Sequence, residues 1–282
     1  MREYFYGRYF KMQTDENTLA FIPSYSKSKN GSSASVQIIT ADGAWNAEYP
    51  VNAFSESKKD GIRVANSVFS DKGVTVDIDK PGLRIKADIT FGKPLSLKYD
   101  IMGPFCLVPF MECRHSVYSM RHTVNGRVVI NGKTLSFDGG TGYTEGDRGY
   151  SFPRVYAWTQ TFFEGGSLML SAAEIPIGNI RFTGIIGFVY VDGKEYRIAT
   201  YNGAKAEKIG NGEVVVFQKD VKLTACLAEK RHYALNAPSN GEMSRLIRES
   251  AECKAYYKFE VKNKTVFEFE TDKASFEYEY GV

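Results

Sequence analysis

Along most of the chain, hydrophobic and polar residues alternate with a period of two. SVQIIT at 35–40, VTVDID at 74–79, RIKADITF at 84–91, GRVVING at 126–132 and KFEVKNKTVFEFET at 258–271 all follow this pattern. In extended backbone, successive side chains point to opposite faces, so the pattern predicts half-buried β-strands. Turn-forming dipeptides punctuate these runs: Asp42-Gly43, Asp60-Gly61, Asn125-Gly126, Asn131-Gly132, Asp192-Gly193 and Asn211-Gly212. Such pairs tolerate positive φ and suit tight hairpin loops. Many short strands at this spacing predict an antiparallel sandwich or barrel.

One stretch breaks the pattern. In SNGEMSRLIRESAE, at 239–252, Ser and Asn are possible N-caps ahead of good helix formers. Met243, Leu246 and Ile247 fall on one helical face, which predicts a short helix. The chain also repeats loosely. YGRYFKMQTDENTLAFIPSYS near the start runs from a Gly-aromatic segment into an apolar strand, and RGYSFPRVYAWTQTFFEGGSLMLSAAEI, from Arg148, does much the same. The repeat predicts two related barrels joined near residues 104–122, because closing a sheet on itself pairs its edge strands. The expected domains are 1–118 and 119–282, with a margin of ten to fifteen residues.

A length of 282 residues accommodates two domains of ordinary size. The 18 Tyr and 19 Phe against 2 Trp favour strands and could line an apolar cavity. Basic and acidic residues, 36 and 33, are spread without a basic block, so no nucleic-acid partner is expected. No apolar run reaches the roughly 20 residues of a membrane-spanning helix. MREYFYGRYFKMQ lacks the apolar core of a signal peptide, which makes a cytoplasmic location the default expectation. Cys106, Cys113, Cys226 and Cys253 form no CxxC pair and are read as reduced thiols.

The candidate chemistry lies in two segments. In MGPFCLVPFMECRHSVYSM, at 102–120, Glu112 and His115 interrupt an apolar run. Being three apart on an extended segment, they tend to opposite faces unless a bulge intervenes. FDGGTGYTEGDRGYSFPRVYAWTQ, at 137–160, packs Tyr143, Glu145 and Asp147 between glycines and continues to Trp158 and Gln160. It lacks the Lys-Ser/Thr ending of a phosphate loop and carries acids where an anion would bind. Asp138, Glu145 and Asp147 could offer oxygens to calcium, without the regular ligand alternation of an EF-hand. No GxSxG or HExxH occurs, and the spacing of the three histidines favours no metal. Asp147 has two readings, a turn residue ion-paired with Arg148 or a functional acid. Tyr143, Trp158 and Gln160 are core or ligand-lining residues. Glu174, closing an apolar strand in LSAAEIP, could face a cavity. His122 and His232 are expected at the surface or in loops.

These blocks resemble the tocopherol cyclase family. The similar segments are PFMECRHSVYSM, FDGGTGYTEGDRGYSFP, RFTGIIGFVYVDGKEYRIATYNGA and APSNGEMSRLIRESAECKAYYKF, in the family's order, with GRYFK like its opening block. The resemblance implies an all-β chain of two consecutive lipocalin-like antiparallel barrels with few short helices. It also implies acid-catalysed chemistry: a prenyl double bond is protonated and a phenol oxygen closes a chromanol ring, while proteins of related architecture hydrate carotenoid double bonds. Glu112, His115, Tyr143, Glu145, Asp147, Trp158 and Gln160 fall on matching positions. Two positions depart: Arg148 stands where the plant pattern has Trp, and Ser116 where it has Gly. An arginine beside Asp147 would stabilise its carboxylate, the wrong direction for a proton donor.

Two functions follow as expectations. The first is a cyclase or hydratase acting on a hydrophobic prenylated or terpenoid substrate. Asp147 or Glu145 would be the acid and Glu112 and His115 would assist, with Tyr143, Trp158, Gln160 and Glu174 lining the substrate and no cofactor. Its substrate would be reached with at most peripheral membrane contact. The alternative is a non-catalytic lipocalin-like lipid or isoprenoid binding protein, since such barrels readily hold one small apolar ligand.

Overall fold

The computed structural model describes residues 3–57, 60–109, 111–177, 180–228 and 232–280. Its strands form two antiparallel sheets, each rolled into a lipocalin-like barrel. The chain divides into two compact units. The first comprises Met1–Lys98, Phe110–Phe152 and Leu235–Leu246; the second comprises Tyr99–Pro109, Pro153–Ala234 and Ile247–Val282. A division after residue 118 would fall inside a strand, Cys113–Ile130, that pairs on both sides within the first sheet.

The first sheet is built from β1 (Tyr4–Gln13), β2 (Thr18–Ser28), β3 (Gly31–Thr40), β4 (Ala44–Pro50), β5 (Phe54–Ser57), β6 (Gly61–Val64), β7 (Ser67–Ser70), β8 (Gly73–Lys80), β9 (Leu83–Phe91), β10 (Cys113–Ile130), β11 (Lys133–Ser136) and β12 (Gly140–Gly149). Their order is β4-β3-β2-β1-β12-β10-β9-β8-β7-β6-β5, with β11 paired to β10. First and last strands thus lie side by side. The free edges are the consecutive strands β4 and β5, joined by the 3₁₀ turn Val51–Ala53. Alternate residues of every long strand point inward. Phe10, Phe21, Phe69, Phe137, Ile38 and Leu19 are fully buried there, so side chains fill the barrel interior.

The second sheet repeats the plan with β13 (Tyr156–Phe163), β14 (Gly166–Ile177), β15 (Ile180–Val191), β16 (Lys194–Ala199), β17 (Lys205–Gly210), β18 (Glu213–Gln218), β19 (Val221–Leu227), β20 (Tyr233–Ser239), β21 (Glu242–Val261) and β22 (Lys264–Tyr278). The order is β16-β15-β14-β13-β22-β21-β19-β18-β17, with β20 on β21. Again first pairs with last, and the free edges are consecutive strands joined by a 3₁₀ turn, Thr200–Asn202. Its core gathers Tyr257, Phe259, Leu223 and Val216. Inside it, Thr159 Oγ1 and the Tyr257 hydroxyl lie 2.5 Å apart.

Three local expectations change. Residues 239–252 form the end of β20, a turn and the first half of β21, with no helix. The burial of Ile247, Glu249, Ala251, Cys253, Ala255, Tyr257 and Phe259 has a period of two, which overrides the helical spacing. Leu246, central to the helical face, is 67% exposed. Asn125-Gly126 makes no turn but lies within β10. Gly126 has φ +128°, and a Cβ there would lie 2.1 Å from the Asp88 carbonyl oxygen, so the backbones pass too closely for a side chain. Asn131-Gly132, Asp192-Gly193 and Asn211-Gly212 do make tight turns, with positive φ at each residue. No helix among the described residues is long and apolar enough to cross a membrane.

Candidate functional site

The glycine-rich segment around Asp147 is extended, not a turn: it is β12, between β1 and β10. Tyr143, Glu145 and Asp147, two apart, therefore share one face of the sheet. On β1 the residues opposite them are Lys11, Tyr9 and Gly7, whereas Tyr6, Phe10 and Met12 belong to the barrel core. The three polar side chains thus stand on the face of the first sheet turned away from its packed interior. Even so, Tyr143 is fully buried and Glu145 is 6% exposed.

Across the ladder, His115 of β10 is the register partner of Asp147, and Val117 that of Glu145. His115 Nδ1 lies 3.0 Å from Asp147 Oδ1, and Nε2 lies 3.1 Å from Glu145 Oε2. The Tyr143 hydroxyl donates to the same Glu145 oxygen at 2.5 Å, and the Cys113 thiol donates to Asp147 Oδ1 at 3.2 Å. The groups line up from phenol to carboxylate, imidazole, carboxylate and thiol, with the Glu145–His115 link an ion-pair contact and the others hydrogen bonds.

Electrostatics fixes the protons. Burial alone would lower the His115 pKa, but the charges and hydrogen bonds of Asp147 and Glu145 outweigh it and hold the ring well above its ordinary value. The two carboxyl groups thus favour the protonated ring over the neutral one. Burial, reinforced by Glu145, pushes the Tyr143 phenol well up, so it remains a donor. Burial and then Asp147 do the same to the Cys113 thiol.

The ligand-type atoms of His115, Glu145 and Asp147 lie within 4.8 Å of one another. A metal ion takes one nitrogen of an imidazole, whereas these carboxylates face different nitrogens of a protonated ring. The arrangement fits proton sharing better than a metal cradle. Nor does the segment form a calcium loop. Asp138 lies in the turn before β12, whose strand runs on about 23 Å from Gly140 to Asp147, and its carboxylate accepts from the Gly126 backbone and Ser136.

The other candidates are placed as follows. Glu112 ends the loop before β10, where its carbonyl accepts the Tyr150 and Ser151 amides. Arg148 is exposed and, as the strand neighbour of Asp147, points to the opposite face. Asp147 is instead bonded by His115 and Cys113. In the second unit, Trp158 and Gln160 are buried on the face of β13 opposite that of Ala157, a core residue. Glu174 is half-exposed and ion-paired with Arg181 at 3.3 Å. His122 is buried, not at the surface. It lies in the bulged middle of β10, 2.9 Å from Ser119 Oγ and against the Phe91 ring, and desolvation lowers its pKa to about 4. His232 is exposed. Sequence reasoning missed Cys113, although its spacing of two from His115 placed both on one strand face.

No protein-family model and no curated protein matches the chain. Among solved structures, the chain is similar to kievitone hydratase from Nectria haematococca at 9% identity and a TM-score of 0.57, covering 98% of this chain and 89% of that one. It is similar to CghA at 10% identity and a TM-score of 0.64, covering 98% and 88%. CghA crystallised with Sch210972 gives 11% identity and 0.62 over the same shares. At these identities the likeness establishes the two-barrel fold.

Proposed function

We propose that the chain is a general acid–base catalyst that protonates a carbon–carbon double bond of an apolar, prenylated or terpenoid substrate. The observation that carries the reading is the buried His115 ring held between Glu145 and Asp147, at 3.1 and 3.0 Å. Of the three side chains, Asp147 is the most open, at 21% against 10% for His115 and 7% for Glu145. It is therefore the member best able to meet a substrate. Both of its hydrogen bonds fall on Oδ1, which leaves Oδ2 for the transferable proton. Glu145, held by Tyr143, supplies the countercharge that keeps His115 protonated.

In this reading the Asp147 proton passes to the less substituted alkene carbon and leaves a tertiary cation. A phenol oxygen of the same substrate, or a water, attacks the cation and returns its proton to Asp147. The aromatic rings of Phe5 and Tyr9, on the same face of β1, offer negative π-faces worth about 0.5–2 kcal/mol each to a cation. The similarity in fold to a protein named as a hydratase fits this chemistry.

The test is incubation with a panel of prenylated hydroquinones and prenylated phenols in D₂O. Product carrying one carbon-bound deuterium is expected, cyclised or hydrated. Asp147→Asn should lower the rate by about 10²–10⁴-fold, the usual contribution of a general acid. If organic extracts of the native protein contain a prenylated compound that no condition turns over, the chain is a binding protein instead.

A further inference from the structure

The polar cluster around Asp147 has a member that alkene protonation does not by itself require. Cys113 opens β10, two residues before His115 and diagonal to Asp147, with Arg114 between them turned to the other face. Its Sγ is 3.2 Å from Asp147 Oδ1, the same oxygen that His115 Nδ1 contacts at 3.0 Å. Two donors from one strand thus converge on one oxygen of the carboxyl group. A carboxyl group held at one oxygen only through a rotatable imidazole can still swing about its Cβ–Cγ bond. Two donors at different angles fix its plane.

We propose that Cys113 is a positioning residue for Asp147: its thiol, with His115, pins Oδ1 and presents Oδ2 as the proton-carrying atom. This rests on the reading of Asp147 as the proton donor. The thiol is suited to the task. Burial and then the neighbouring carboxyl groups keep it protonated, so it donates to Asp147 and adds no charge to the site. A serine at the same place would keep the donor, whereas an alanine would remove it and leave the volume nearly filled.

The full-length protein and its Cys113→Ser and Cys113→Ala variants test this in two ways. The first is NMR titration of the His115 ring. Losing one donor leaves more negative charge on Oδ1, so Cys113→Ala should raise the His115 pKa further and move the Nδ1 proton downfield. Cys113→Ser should return both toward wild type. The second is turnover of the prenylated phenol. Cys113→Ala should lower kcat about tenfold with KM nearly unchanged, as expected when orientation rather than binding is lost. Cys113→Ser should stay within about threefold of wild type. The proposal is overturned if Cys113→Ala leaves the His115 titration unmoved, or if Cys113→Ser behaves like Cys113→Ala. If the titration shifts as expected but even the wild-type protein turns nothing over, the positioning contact stands and the acid reading falls.

Discussion

His115 carries a pH signature that follows from its surroundings. Its folded-state pKa is raised, so the folded protein holds the proton more tightly than the unfolded chain does. The stability this contributes is complete below the unfolded value near 6.5 and is lost as pH rises through the raised folded value. Replacing the ring removes the group that Glu145 and Asp147 both face and leaves the buried Glu145 without its cation. His115→Gln should therefore cost about 3–5 kcal/mol at pH 6 and progressively less under alkaline conditions. Urea unfolding at pH 6 and pH 10 measures this, and an equal cost at both would show that the ring is not an imidazolium. The sequence already marked His115, Glu145, Asp147 and Tyr143 as unusual polar groups in apolar surroundings. Which of them touch was not legible, because that depends on the register of β10 against β12, a pairing of residues some thirty positions apart. Register also corrects Arg148. Adjacent in sequence, it read as a partner of Asp147, but one step along a strand turns it to the other face.

At the level of elements, the period-two alternation was a sound guide wherever it ran unbroken, and the Asn-Gly and Asp-Gly hairpins followed from it. It failed where two patterns overlapped. Between Ser239 and Glu252, good helix formers sit in a segment that runs on into a period-two strand from Ile247. The strand wins because from Glu249 onward it pairs with β22, through several register shifts, as far as Val261. Tertiary pairing decided the matter, and local propensity could not foresee it. The outcome is testable at Leu246. On a helix it would share the buried face with Met243 and Ile247; on β21 it is 67% exposed. Leu246→Lys should leave stability within about 0.5 kcal/mol of wild type, the usual range for an exposed site. A loss of several kcal/mol in urea unfolding would restore the helical reading. Glycines such as those of β12 permit either a sharp turn or a close approach, and Gly142 lies in a strand. A Cβ there would fall 2.2 Å from His122 Nε2, so glycine marks a close approach rather than a turn.

For the whole molecule, the repeat seen faintly in sequence is plain in topology: both sheets pair their first strand with their last and end on consecutive strands. What no local pattern could reveal is that the first unit takes a segment from late in the chain. Residues 235–246 belong to it, more than eighty positions after its last preceding residue, Phe152. The hold is specific. The Gln37 amide mimics a backbone, donating from Nε2 to the Asn236 carbonyl at 2.9 Å and accepting the Asn236 N–H on Oε1 at 2.7 Å. The Phe152 N–H donates to the Pro238 carbonyl at 3.0 Å, and the Gly241 N–H to that of Tyr150 at 2.6 Å. The Asn240 N–H reaches Ser151 Oγ at 2.7 Å, while Leu235 and Ala237 are buried. Tyr150, Ser151 and Phe152 are the residues immediately after the Asp147 strand. A fragment ending at residue 152 therefore has every strand of the first sheet but lacks the partners that fix the exit of β12. It should unfold at lower urea than the first transition of the full chain. A synthetic peptide spanning 233–246 should restore stability by mass action, by about 2.7 kcal/mol at a hundredfold excess over its Kd. The same peptide with Asn236→Pro, which removes the N–H that Gln37 accepts, should restore much less. If neither peptide moves the midpoint, the late segment is a passenger on the first barrel, and the exit of β12 is held by the sheet alone.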